Sequence, residues 1–238
     1  MKAPTARRGL RLLVALSALA LGSTATPGAA APEAVRAHDA APARSGGAHR
    51  DCPSGEVFAT NNTAVVTDPA DPRLRTRLTR FDREVRGIIR AHGARPGAST
   101  LLDGVFWSAG LRKTTFERSR EFDVDGTGRD GLRHLAGVLA KRYHQESVLT
   151  FRCLPRHAPA TDAARIEAPG VSAAALREAL RTHPGAREEL GGGSVTEDGR
   201  LVLVSPLEEL PLARKFTKDL GVDWNTAEVR YGEREFVS

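Results

Sequence analysis

The sequence predicts an α+β fold made of two tandem ferredoxin-like domains, each with the element order βαββαβ. Residues 56–154 and residues 164–238 show the same alternation of β-prone runs and amphipathic helices. A Pro- and Ala-rich stretch separates them, and 40% hydrophobic and 27% charged residues are typical of a folded protein. We therefore predict domain 1 over residues 52–155, a linker over 156–163 and domain 2 over 164–238.

The beginning of the chain resembles the leader of an exported protein. Basic residues precede an apolar run, Leu10–Leu21, and the small residues Ala29 and Ala31 follow at signal-peptidase spacing. This run is too short for a stable membrane anchor. We predict a signal peptide over residues 1–31 and a disordered lead-in over residues 32–51. Secretion would use the Sec pathway or, because two arginines precede the run, the twin-arginine pathway.

The net charge gives little indication of a nucleic-acid partner. Residues 1–31 hold four basic residues and no acid, so the net charge falls from +6 to about +2 when they are removed. Aromatic residues make up 5% of the chain, and the predicted strands lack stacking side chains for RNA.

Domain 1 begins with a strand over residues 56–67, centred on TAVVTD. Asp71 and Pro72 are typical of a helix start, and apolar residues then recur at helical spacing to about His92. The arginine-rich opposite face indicates a solvated surface, with a polyanion site as the alternative. The remaining elements are strands over 100–108 and 115–125, a helix over 132–143 and a strand over 147–154.

Domain 2 repeats this order in about 75 residues. Ser172 is the expected cap of the first helix, and Gly221 is expected to end the second. We expect Gly191–Gly193 to form a loop. The predicted elements are a strand over 164–168, a helix over 173–182, a hairpin over 194–205, a helix over 211–220 and a β-rich segment over 226–237.

The two cysteines predict a disulfide. Cys52 precedes the first strand and Cys153 ends the fourth strand of domain 1. These strands are antiparallel neighbours in a ferredoxin-like sheet, so the two ends meet. Export places the pair in an oxidising compartment, where a disulfide persists.

An acidic stripe is the candidate ligand or metal face. Glu121, Asp123 and Asp125 alternate with apolar residues that should face the helices, so the acids should face the open side of the sheet. We place Arg152, on the fourth strand, on the same open side. Domain docking or plain solvation are the alternatives. Calcium fits poorly because Leu132 takes the position of the closing glutamate, and we assign no metal.

Catalytic motifs with known spacing are absent from the sequence. It contains no G-x-S-x-G, H-E-x-x-H, C-x-x-C or phosphate-loop pattern. His134 and His144 lie ten residues apart on one helix and do not form an i, i+4 metal pair. We predict neither a cofactor nor a defined catalytic set.

Two segments resemble a family of short secreted bacterial proteins of unknown function. These segments are Ser99–Trp107 and Lys141–Leu149, which contains Gln-Glu-Ser-Val-Leu. The resemblance covers residues 52–154 and implies a leader, a cysteine and one ferredoxin-like domain. The second domain departs from that pattern. More generally the chain resembles exported proteins of actinobacteria.

The expected function is a secreted, non-enzymatic module that binds an extracellular ligand or protein. The alternative is a small extracellular hydrolase that uses the acids on the open face of domain 1. Sites assembled from distant residues leave no local motif, so the sequence keeps both hypotheses open.

Overall fold

The computed structural model describes residues 52–63, 72–102, 106–108, 113–115 and 119–238. All of them belong to one compact unit. The predicted signal peptide, the lead-in and most of TAVVTD lie outside the described residues. Within the described residues, no helix combines the length and apolar character needed to cross a membrane.

The first half of the described chain begins earlier than predicted, with a strand at Gly55–Ala59. The helix that follows starts at Pro72 as predicted, because Pro has no N–H to lose in the first turn. Its residues Phe81, Val85 and Ile89 are buried along one face. The elements are β1 (Gly55–Ala59), α1 (Pro72–Ala91), β2 (Arg95–Leu102), β3 (Phe106–Ser108), β4 (Lys113–Thr115), β5 (Ser119–Asp125), α2 (Arg129–Arg142) and β6 (Val148–Cys153).

The second half follows the predicted order, with one extra helix. The Ser172 hydroxyl caps the third helix by accepting the Ala175 N–H at 3.1 Å, and Gly221 ends the fifth helix with a φ of +80°. Gly192 and Gly193 lie in a strand, so the predicted loop is wrong there. The elements are β7 (Ala163–Pro169), α3 (Ala173–Thr182), α4 (Pro184–Glu189), β8 (Gly192–Val195), β9 (Arg200–Pro206), α5 (Leu210–Asp219), a 3₁₀ turn (Trp224–Thr226) and β10 (Glu228–Val237).

The ten strands of the described residues form one sheet, in which all pairs are antiparallel. Its order is β2-β5-β1-β6-β10-β7-β9-β8-β3-β4. The first four strands and the next four follow mirror-related orders, and β6 joins the halves by pairing with β10. This confirms the predicted α+β class with antiparallel strands, and it gives one shared sheet.

Strands that lie far apart in the sheet order also pair with each other. Leu102, at the end of β2, forms an antiparallel bridge with Thr196, just after β8. The chain then continues into β3, where Trp107 pairs with Gly193 of β8. β2 and β8 are the first and the last of eight consecutive strands in the sheet order. These pairings bring the two strands together and so close the eight strands into a barrel.

Apolar residues form three clusters, and their positions show that the sheet is buried on both faces. One cluster packs α1 and α2 on the outside of the first half, and a second packs the helices of the second half. The third cluster lies inside the barrel and includes Leu149, Phe151 and Val204. The prediction that Arg152 lies on the open side of the sheet implies that Leu149 and Phe151 face the helices. That orientation is wrong, because Val148 packs against the helices instead.

The predicted disulfide is present. Cys52 and Cys153 are bonded, with Cα atoms 6.1 Å apart, and their separation of 101 residues makes this a long closed loop. The bond joins the segment before β1 to the end of β6, as the antiparallel pairing of those strands requires.

Candidate functional site

One end of the barrel interior holds a cavity of about 370 Å³. This volume is in the range of small-molecule sites. Both halves of the chain line it, and most of the lining side chains are polar or charged. They are Pro53, Thr100, Glu121, Asp123, Arg165, Glu167, Thr196, Asp198, Arg200, Val202, Glu228 and Arg230.

Strand alternation explains why charged side chains share this interior. On β5, Phe122 and Val124 face the helices, so Glu121 and Asp123 point into the barrel. On β7, Ile166 faces the helices of the second half, so Arg165 points inward. The first half thus supplies two acids, and the second half supplies three arginines and three further acids.

Arg165 is the centre of the charged cluster. Its side chain is 3% exposed, and its Nη2 donates to Glu121 Oε1 at 2.5 Å. Its Nε lies 2.7 Å from Glu56 Oε2, and its Nη1 donates to Glu167. Burial acts to lower the pKa of Arg165, but the surrounding carboxylates outweigh burial and raise it. The guanidinium is therefore charged.

Arg230 and Arg200 surround the remaining carboxylates. Arg230 Nη1 lies 2.6 Å from Glu56 Oε1, and its Nη2 donates to Glu167 Oε1 at 3.2 Å. Arg200 Nη1 donates to Glu167 Oε2, also at 3.2 Å. Burial acts to raise the pKa of Glu167, but Arg165 above all, together with Arg230 and Arg200, outweighs burial and lowers that pKa. Each arginine that lines the cavity therefore already has a carboxylate partner.

Glu56 lies beneath the cavity and does not line it. Its side chain is 1% exposed. Its oxygens are close to Arg165 and Arg230, yet neither oxygen has hydrogen-bond geometry with a partner. Burial is the main cause that raises its pKa to about 8, and the nearby Glu121 adds to the effect. Glu56 is thus largely protonated at neutral pH.

Asp123 differs from the other interior acids of the first half. It lines the cavity and is half-buried, and no basic side chain of the described residues forms an ion pair with it. Burial raises its pKa to about 6, with a further contribution from Glu121, while Arg165, Arg230 and the Ala98 N–H favour the charged form. Asp123 is therefore a cavity acid that feels the nearby arginines but forms no salt bridge with them.

The three acids Glu56, Glu121 and Asp123 place carboxylate oxygens within 4.8 Å of one another. This spacing alone would suit a hard cation. Arg165, however, contacts both Glu56 and Glu121 and supplies the positive charge that a metal would bring. We therefore assign no metal to this cluster.

The structure brings together only part of the predicted ligand face. Glu121 and Asp123 line the cavity as predicted. Asp125 is not a lining residue, and its carboxylate accepts the Ser54 N–H at 3.4 Å. Arg152 lies on the opposite face of the sheet, where its Nη2 pairs with Glu233 at 2.7 Å. Its predicted position is wrong for the same reason as that of Leu149: β6 is apolar on its inner face.

Sequence reasoning missed most of the charged cluster. Glu56, Arg165, Glu167, Arg200 and Arg230 come from four strands that are far apart in the chain. A usable signal was present, because Arg165 and Glu167 alternate with Ile166 and Ala168 in a strand that is otherwise apolar.

No protein-family model and no curated protein matches the chain at a significant level.

Proposed function

We propose that this protein is a binding protein whose barrel cavity takes a small, positively charged ligand. The observation that carries the proposal is the pairing pattern around the cavity. Every lining arginine has a carboxylate partner, whereas Asp123 and Asp198 form no salt bridge with a basic side chain of the described residues. A cation is the ligand that would complete this pattern.

The overall charge of the lining residues favours the same ligand class. Five acids and three arginines line the cavity, which gives an excess of negative charge when all are ionised. The Thr196 hydroxyl donates to Asp198 and holds that carboxylate at the cavity. This hydrogen bond lowers the pKa of Asp198 and favours its charged form. A partly enclosed cavity also screens charges less than open water does.

The hydrolase alternative has less support. A general acid needs a proton near neutral pH, and Glu56 has one, but Glu56 does not line the cavity. Asp123 lines the cavity, but no Ser, Cys or His is among the described residues that line it. The side chains that line the cavity are therefore better suited to binding a charged ligand than to acid–base or nucleophilic catalysis.

The wider setting is also part of the proposal. We infer that the two halves are ferredoxin-like units related by duplication, since four strands of each half follow mirror-related orders in the sheet; β3 and β4 in the first half and α4 in the second are additions to the shared pattern. We infer export from the leader of the sequence and from the disulfide, with an extracellular ligand and no nucleic-acid partner. The similarity to short secreted bacterial proteins belongs to the same inference.

The experiment is a ligand screen by thermal unfolding. The probes are methylguanidine, putrescine, choline and calcium as cations, with acetate and phosphate as anionic controls. A bound ligand stabilises the folded state by RT ln(1 + [L]/Kd), about 2.7 kcal/mol at 100 times Kd. We expect a saturable rise in Tm with at least one organic cation and no rise with either anion.

Two substitutions locate the binding site. Asp123→Asn should weaken binding of the active cation at least about tenfold, because it removes an unpaired lining charge at almost constant volume. Asp130→Asn, at an exposed position on α2, is the matched control and should leave binding unchanged. Binding of anions alone, or equal affinity in Asp123→Asn and the unaltered chain, would contradict the proposal.

A further inference from the structure

Two histidines that are far apart in the sequence lie side by side on the surface. His92 follows the last residue of α1, and His134 lies in the second turn of α2. Their ring centroids are 5.2 Å apart, and the ring planes are inclined by 50°. Both residues are exposed. In the sequence, His134 was compared only with His144, which was expected on the same helix but follows the end of α2 in the structure. The pair of His92 and His134 becomes visible only in the fold.

A hydrogen bond fixes the form of the first imidazole. The Nδ1 atom of His92 lies 2.8 Å from the carbonyl oxygen of Ile88. A carbonyl oxygen only accepts, so Nδ1 must carry the proton in this bond. In neutral His92 the lone pair is therefore on Nε2. Histidines that bind metals commonly have this arrangement, in which the second nitrogen donates to a carbonyl and orients the ring.

The distance between the rings fits a shared metal ion. With metal–nitrogen bonds of about 2.0–2.1 Å and tetrahedral angles, two imidazole centroids on one ion lie about 5 Å apart. The observed separation of 5.2 Å agrees with this. Imidazole is a preferred ligand of zinc, nickel and copper, whereas calcium and magnesium prefer oxygen.

We propose that His92 and His134 form a surface site for a divalent transition-metal ion such as Zn²⁺. The site is independent of the barrel cavity, since neither histidine lines it. In the described part of the chain, the one group of three or more metal-binding side chains is Glu56, Glu121 and Asp123. Water therefore completes the coordination at the histidine pair, and an ion bound there bridges α1 and α2.

The test is calorimetric titration of the full chain with zinc chloride near neutral pH. We expect saturable binding that His92→Ala and His134→Ala each weaken at least about tenfold, because one imidazole alone holds the ion poorly. His157→Ala, which removes an exposed histidine outside the pair, should leave the binding unchanged. His38 and His49 remain in every variant and set a common background.

A second measurement separates metal binding from damage to the fold. Both substituted side chains are exposed, so each variant should unfold at the same temperature as the unaltered chain when no zinc is present. Zinc should then raise Tm in the unaltered chain and in His157→Ala, but not in the double variant His92→Ala/His134→Ala. Equal zinc affinity in the double variant, or no saturable binding up to about 1 mM in the unaltered chain, would overturn the proposal.

Discussion

Arg165 shows how single residues shape this interior. Moving an isolated guanidinium from water to a buried site costs several kcal/mol, so the charge persists only where carboxylates compensate for it. Glu121 and Glu167 lie beside it and offset that cost. Glu121 comes from the first half of the chain, and Arg165 comes from the second. The ion pairs thereby favour one alignment of the halves over slipped ones.

The raised pKa of Glu56 makes stability depend on pH. Because burial raises its folded pKa from 4.5 to about 8, the folded state binds more protons than the unfolded state between these two values. The free energy of unfolding must therefore fall as pH rises through that window. Glu56→Gln removes this titration, so its stability should decline less across the window, by of the order of a few kcal/mol.

Urea denaturation at several pH values within that window measures the difference. Asp123 titrates in both proteins, so its contribution cancels in the comparison. Glu178→Gln is the control, because Glu178 is an exposed residue that pairs with Arg181 at 2.6 Å. Its curve should run parallel to that of the unaltered chain. If the Glu56→Gln curve is also parallel, Glu56 is ionised in the folded protein and the interpretation of its pKa is wrong.

Sequence alone could identify only the local part of the site. Glu121 and Asp123 alternate with Phe122 and Val124, and this alternation was enough to assign their face. Arg165, the partner of Glu121, lies 44 residues further along the chain, and no local pattern specifies that contact. The same limit applies to His92 and His134, which meet only because α1 and α2 pack side by side.

At the scale of elements, strand orientation was predictable where one face of the strand was polar. On β6 the inner face carries Leu149 and Phe151 and the outer face carries Val148 and Thr150, so apolar residues lie on both. Alternation then gives no direction, and the position of Arg152 was assigned wrongly. Capping and turn residues were more reliable, because Pro72, Ser172 and Gly221 act on the backbone within a few residues of themselves.

The disulfide tests the pairing of two elements. In the chain-entropy model, a crosslink that closes a loop of about 100 residues stabilises the fold by up to about 4.7 kcal/mol. We expect the Cys52→Ser/Cys153→Ser variant to lose about 2–5 kcal/mol in urea denaturation. The unaltered chain should lose a similar amount in reductant, whereas the double variant should not respond to it. A variant as stable as the oxidised chain would show that β1 and β6 are held together without the bond.

At the scale of the whole molecule, closure of the barrel makes the two halves depend on each other. The inner apolar cluster takes Phe58 and Phe151 from the first half and Val202 and Val204 from the second. Either half alone would expose this face to water, at a cost of about 25 cal/mol for each Å² of apolar surface. The halves also share β-sheet hydrogen bonds at β6–β10 and at β3–β8.

We therefore expect residues 52–238 to unfold as one cooperative unit, although the sequence predicts two domains joined by a linker. Hydrogen exchange followed by mass spectrometry at increasing urea concentration can measure this, with peptides from β1 and β9 as reporters of the two halves. The slowest amides of both strands should exchange with the same free energy of opening, because global unfolding is the step that exposes either of them.

Leu102 provides the test of this coupling. Its side chain is 1% exposed and packs in the inner cluster, and its backbone forms the closing bridge to Thr196. Leu102→Ala should lower the opening free energy of both peptides equally, by about 2–5 kcal/mol. Leu176→Ala, on α3, removes an equal side chain from the outer cluster of the second half and should also lower both. If Leu176→Ala lowers only the β9 value, the halves unfold separately and the barrel does not couple them.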